Sequence, residues 1–177
     1  VKEWVAEGGR AKTTGPAFSV EKFATAAVAG TSYMKTIVYP VGNSDLQEKA
    51  RGIVANLCQM SGAKLVLIYV VDKITEAAPM MTDSSAWEEI RQRWIVEGRE
   101  LLLKEATLLQ KLKVQNIETE IRVGLVAGEV CRSAIERKAD MIIVASHKQS
   151  PVGSLLMGER TFGIFKEAQC PILRIVR

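Results

Sequence analysis

The sequence has one histidine and three cysteines, and the cysteine pattern removes two classes of function. Cys58, Cys131 and Cys170 are odd in number, far apart and form no C-x-x-C pair. That pattern argues against both a disulfide framework and a zinc site. The longest apolar run, Leu65 to Val71, is seven residues, far short of the roughly 20 that a membrane helix needs. Phe23 to Gly30 is short, Ala-rich and preceded by Glu21, so it is expected to be a short helix rather than an export signal. The 24 basic and 20 acidic side chains are interspersed, without the basic block of a nucleic-acid binder. The expectation is a soluble, cytoplasmic protein that engages neither nucleic acid nor a membrane.

What is present is a rhythm. With 177 residues, 47% apolar and 25% charged, the chain is long enough for one packed domain with an appendage. From Lys35 onward, short β-branched runs alternate with longer amphipathic stretches. Residues 36–41 form an apolar run ended by Gly42, as a buried parallel strand should be. A helix capped by Ser44 or Asp45 follows, with Ala50, Ile53, Val54, Leu57 and Ser61 on one face and Gly62 as its stop. Residues 64–71 are a second strand, apolar throughout.

After a polar loop holding Pro79, Met80 and Met81, Ser85 and Glu88 are spaced as a capping box. The long helix they open carries Trp87, Ile90, Trp94 and Leu101 in a stripe that continues through Leu108 and Leu112. Ile117, Thr119, Ile121 and Val123 alternate with polar residues, which places their strand nearer a sheet edge. Gly124 and Gly128 bracket a turn into a helix with Val130, Cys131, Ala134 and Ile135. Residues 140–145 are a fourth strand, 161–168 a helix and 171–176 the last strand. The order β-α-β-α-β-α-β-α-β predicts a Rossmann-like α/β fold: a five-stranded, parallel, open sheet with helices on both faces. Residues 1–33 break the rhythm and are expected to be an N-terminal extension, a linker or a remnant, with the domain spanning 34–177.

In such a sheet the ligand crevice lies beyond the carboxyl ends of the strands, where the strand order reverses. The segments due there are Val41 to Asp45, Val70 to Lys73, and the loop that runs from Ala145 to Thr161. That loop, together with Pro40-Val41, Gly124 to Gly128, Ala139 to Val144, Ser146-His147, Leu155 to Gly158 and Cys170 to Leu173, resembles the universal stress protein family. The resemblance runs colinearly from Met34 over nearly the whole domain, and implies the adenine nucleotide alpha hydrolase-like version of the fold. Nucleotide-binding members carry G-x-x-G-x9-G-[S/T] in this loop. Here the spacing survives, but Ala145 and Lys148 replace two glycines, Gly158 keeps the third, and Glu159 replaces the hydroxyl residue. The acidic residue that follows Pro-Val in ATP-binding members is Gly42.

Magnitudes decide what these changes mean. A carboxylate about 4 Å from a phosphate charge costs on the order of 1 kcal/mol in water and about 4 kcal/mol at a partly buried site. Losing a hydroxyl donor and a carboxylate acceptor removes about 1–3 kcal/mol each where their partners stay unpaired. Lys148 and Arg160 act in the opposite sense, since either can neutralise a phosphate. The crevice is therefore expected to be a nucleotide-site scaffold that is degenerate or retuned, with Val41, Gly42, Val70, Ala145, His147, Lys148, Gly158, Glu159, Arg160 and Thr161 as its candidate residues.

No cofactor follows with certainty; ATP or another adenine nucleotide stays open. His147 adjoins Ser146, and neighbouring side chains diverge along a chain, so a catalytic triad is not expected. Gly8 to Thr13 imitates a phosphate loop without its spacing or a preceding strand. The resemblance further implies a homodimer paired through the last strand, where Ile172, Leu173, Ile175 and Val176 would make an apolar edge. Three functions compete: a non-catalytic stress-response regulator with a regulatory protein partner, an ATP-binding member with slow hydrolysis, and a regulatory domain of a larger transporter or sensor.

Overall fold

Nine elements alternate in the computed structural model, which describes residues 34–42, 46–72, 84–146 and 159–176, with residues 84–86 and 159–161 described by backbone alone. They are β1 (Thr36–Pro40), α1 (Leu46–Ser61), β2 (Lys64–Val71), α2 (Ser84–Lys111), β3 (Ile117–Val123), α3 (Val126–Glu136), β4 (Met141–Ser146), α4 (Glu159–Glu167) and β5 (Ile172–Val176). The strands form one sheet in the order β3-β2-β1-β4-β5, every neighbouring pair parallel. The predicted fold class and element order are those observed. As its alternation implies, β3 is an edge strand, while β2 is apolar on both faces because it is covered on both.

Two cores separate the sheet's faces. Beneath α1 and α2 lie Ile37, Tyr39, Leu65, Leu67 and Ile143 with Ala50, Val54, Leu102 and Leu109. Beneath α3 and α4 lie Val38, Val66, Ile68, Ile142 and Val144 with Val130, Ala134 and Ile164. Burial of each such side chain contributes about 1.5–3 kcal/mol, which is what holds helices of modest propensity to the sheet.

The helices sit slightly rotated from their predicted faces. In α1 the buried residues are Leu46, Gln47, Ala50, Val54, Ala55 and Cys58, and Ile53 is 45% exposed. The same helix is tied to α2: the Arg51 guanidinium donates to Glu105 through Nε–Oε1 at 3.1 Å and Nη2–Oε2 at 2.9 Å. In α2 the inward residues are Gly98, Leu102, Glu105, Ala106 and Leu109, and Leu112 is exposed. Here α2 closes onto β2 so tightly that a Cβ at Gly98 would run into the ring of Tyr69. Trp87 and Trp94 pack on each other edge to face at 6.0 Å. The Glu88 carboxylate accepts from Arg91 Nε at 3.0 Å and from Gln92 Nε2 at 2.7 Å.

The ends of the elements have local causes. Gly62, at φ +67°, donates its N–H to Cys58 O and stops α1. Lys113 (φ 67°) and Lys138 (φ 50°) take the same left-handed role without being glycine. Gly128, predicted to flank the turn, lies inside the first turn of α3 instead. Asp140 holds two strands in place. Its Oδ2 accepts the N–H groups of Lys35 (2.7 Å) and Thr36 (2.9 Å) and so fixes the start of β1 beside β4.

Candidate functional site

The chain moves outward from β1 to β2 to β3, then returns to place β4 on the other side of β1. The reversal therefore falls between β1 and β4. Their paired register comprises Ile37↔Met141 and Val38↔Ile142, whereas β1 continues to Pro40 and β4 to Ser146. Pro40 has no N–H to give a ladder. The carboxyl ends of these two strands are the place where a parallel sheet of this topology admits a ligand.

The structure brings part of the predicted set together there. Val41 is buried in the α1/α2 core, and its N–H donates to Ile68 O at 2.8 Å. Ala145 packs partly against the same core, so Val41 and Ala145 share a face at the ends of neighbouring strands. Val70 does not join them: it belongs to the α3/α4 core, on the opposite face. Glu159, Arg160 and Thr161 open α4 by their backbone. His147, Lys148 and Gly158, like Met80 and Met81, lie outside the described residues.

Gly42 is the informative position. The Gln47 carboxamide, buried in the first turn of α1, faces its backbone: with the amide assigned in the orientation that satisfies both of its polar atoms, the nitrogen donates to Gly42 O (2.5 Å) and the oxygen accepts from Gly42 N–H (2.6 Å). A side chain here would not be excluded, since a Cβ at Gly42 meets nothing within 4 Å. The glycine is thus not demanded by the backbone, and position 42 itself carries no carboxylate. Sequence reasoning missed Gln47, which looked like an ordinary polar helix residue.

Two further polar groups escaped the sequence. Ser146, 9% exposed, ends β4, and its Oγ accepts a hydrogen bond from Arg174 Nε of β5 at 2.5 Å. Tyr39, fully buried one residue before Pro40, has a phenol oxygen without a hydrogen-bond partner. Burial raises its pKa, nearby Glu105 raises it further, and Arg51 partly opposes both. The thiols of Cys58 and Cys131 are pushed up to about 11, chiefly by burial, and stay protonated at neutral pH.

Placement of α4 depends on close packing: a Cβ at Gly163 would lie 2.5 Å from Ala127 Cβ of α3. A helix start supports an anion through its unpaired N–H groups, and the backbone of α4 starts at Glu159. Two cavities lie elsewhere. One of about 300 Å³ touches Cys58, Gly62, Lys113 and Asn116, and one of about 190 Å³ touches Ala134, Lys138 and Cys170. Both sit at the amino ends of the strands near helix C-termini, whose carbonyls disfavour anions.

An open parallel sheet with a crevice at its reversal point defines the class: a Rossmann-like α/β domain. The profile of the Universal stress protein family matches residues 34–176, and the chain belongs to that family. A universal stress protein of Methanocaldococcus jannaschii is 30% identical over 144 residues, covering 81% of this chain and 83% of its own. One from Thermus aquaticus is 27% identical over 141 residues, covering 80% and 98%. Among solved structures, a second M. jannaschii universal stress protein superposes with a TM-score of 0.67 at 22% identity, over 81% of this chain and 96% of that one. A universal stress protein solved in complex with cAMP gives 0.60 at 18% identity, over 81% and 97%. The Archaeoglobus fulgidus protein in complex with dAMP gives 0.56 at 17%, over 81% and 98%.

Proposed function

We propose that this chain is a dimeric, non-catalytic regulator of the stress response whose nucleotide-site scaffold is retuned away from ordinary ATP capture. The observation that carries the reading is Gly42: the position that supplies an acidic acceptor in ATP-binding members is a glycine held by Gln47. Ala145 and Glu159 support it, because one stands at a glycine position of the family's motif and the other puts an acidic residue at the motif's hydroxyl position. Residues 34–177 form the regulatory domain, residues 1–33 an extension or linker, and the protein works in the cytoplasm with a regulatory protein partner.

The dimer in this reading forms through β5. Ile172, Leu173 and Ile175 are only half-buried and Val176 is 47% exposed, on a strand with one open edge. A second copy pairing with that edge would satisfy its backbone and cover its apolar side chains. Sedimentation equilibrium tests this: a mass of two chains is expected at micromolar protein, and a single chain contradicts it.

A second reading, an adenine nucleotide bound with slow hydrolysis at most, is favoured by the cAMP and dAMP complexes of the structural relatives. Mass spectrometry of the small molecules released from freshly purified protein separates the two. The retuned site predicts no retained ATP, and stoichiometric ATP sinks it.

A further inference from the structure

We propose that Tyr39 and Arg51 are alternative donors to the buried carboxylate of Glu105, forming a two-position latch that couples the carboxyl end of β1 to α2. Tyr39 lies in β1, which is paired on both sides, by β2 and by β4. Its side chain is fully buried in one cluster with Ala50 and Val54 of α1 and Leu102, Ala106 and Leu109 of α2. Those residues flank Arg51 on one helix and Glu105 on the other, so the phenol lies under the ion pair that joins them. Burial and then the charge of Glu105 raise its pKa while Arg51 opposes them, so both members of the pair are within electrostatic reach.

The phenol oxygen has no hydrogen-bond partner among the described residues, a state that buried hydroxyls rarely keep. Glu105 is occupied instead by the Arg51 fork, with contacts at 3.1 and 2.9 Å. The two donors differ in freedom. Tyr39 is fixed by the ladder of an interior strand, and the Glu105 side chain is only 5% exposed. The Arg51 side chain is 17% exposed, so it can exchange Glu105 for water, whereas Glu105 cannot follow it. A carboxylate left there alone is a strongly unfavourable buried charge, and the unused phenol hydroxyl supplies the substitute donor. What displaces Arg51 is its own helix. One turn earlier α1 carries Gln47, whose carboxamide faces the Gly42 backbone beyond the end of β1. A contact made at that backbone is therefore felt at α2, which is tied to α1 in one position and to β1 in the other.

The test is a double-mutant cycle on the full chain, read by urea unfolding. Tyr39→Phe alone should leave the midpoint unchanged or raise it, because the hydroxyl it removes has no partner. In an Arg51→Met background the same change should raise the unfolding constant roughly tenfold, because there the phenol holds Glu105. An equal effect of Tyr39→Phe in both backgrounds overturns the exchange of donors. If Arg51→Met does not fold, Arg51→Lys takes its place, since one ammonium cannot make the forked contact, and the same inequality is expected. A spectroscopic signature reads the coupling. The Cζ carbon resonance of Tyr39, assigned by its loss in Tyr39→Phe, should move toward that of a hydrogen-bonded phenol in the Arg51 variant and, by less, in Gln47→Ala. A resonance unmoved in the Arg51 variant overturns the latch, and one unmoved only in Gln47→Ala overturns its coupling to the end of β1.

Discussion

The two edges of the sheet are finished in opposite ways. On β3, the residues facing α3 are Glu118, Glu120 and Arg122, and each is engaged. Arg122 pairs with Glu120, Glu129 and Glu136, while Arg137 reaches Glu118 at 2.7 Å and Glu120 at 2.8 Å. Ser133 Oγ, fully buried, donates to Glu120 at 2.9 Å. On β5 the side chains are apolar except Arg174, whose head is turned back over β4. One edge is closed by charges from the chain's own helix, and the other is left apolar and open. Charges on an edge strand discourage another strand from pairing, whereas an apolar edge invites it. The difference is what makes β5, rather than β3, the edge for the proposed dimer.

Breaking the closed edge should have the largest effect. Glu120→Ala leaves Arg122 and Arg137 without their shared partner and should cost about 3 kcal/mol in urea unfolding, with the oligomeric mass unchanged. A cost within error of zero would mean that the network is only decorative. Breaking the open edge should act on association instead. Val176→Glu puts a carboxylate on an apolar edge and should weaken dimerisation by at least about 2 kcal/mol, read by sedimentation across a dilution series. Unchanged association would place the interface elsewhere.

Acid separates the edges further. The Glu120 carboxyl is held below its usual 4.5: burial opposes ionisation, but hydrogen bonds from Arg122, Ser133 and Arg137 outweigh it. Lys64 and Arg137 lower Glu118, and Arg122 lowers Glu136. A carboxyl whose folded pKa is depressed contributes its full stabilisation above the unfolded value and loses it as pH falls through the folded one. The urea midpoint should therefore fall as pH drops below 4.5, and less steeply in Glu120→Ala. Identical slopes would contradict this. The smallest effect belongs to Lys64→Met: its 2.8 Å pair with Glu118 joins two side chains about 40% exposed, and removal should cost at most about 0.5 kcal/mol.

Much of this was legible in the residues. Short apolar runs gave every strand, and the alternation in Ile117 to Val123 placed β3 at an edge. What escaped were pairings between residues far apart in the chain. Glu118, Glu120 and Arg122 read as a solvated face, yet α3 lies over them. Periodicity put Ile53 inward, where the structure leaves it 45% exposed, and it cannot register that Arg51 meets Glu105, 54 residues away. Gly98 carried no signal in the sequence, and only the ring of Tyr69 explains a glycine inside α2. At the crevice the spacing pointed to the loop after β4, of which residues 147–158 lie outside the described residues, while the contacts of Gln47 and Arg174 became visible only once the strands were adjacent.

The central claim is that the family's scaffold is intact and its usual ligand is not. The most direct measurement is a calorimetric titration of ATP into wild type and into a variant carrying Gly42→Asp, Lys148→Gly and Glu159→Ser together. The Asp side chain has room, since a Cβ at Gly42 meets nothing within 4 Å. Wild type should show no micromolar ATP binding, and the triple variant should acquire it. Micromolar binding by wild type would contradict retuning, and a triple variant that stays inert would contradict an intact scaffold.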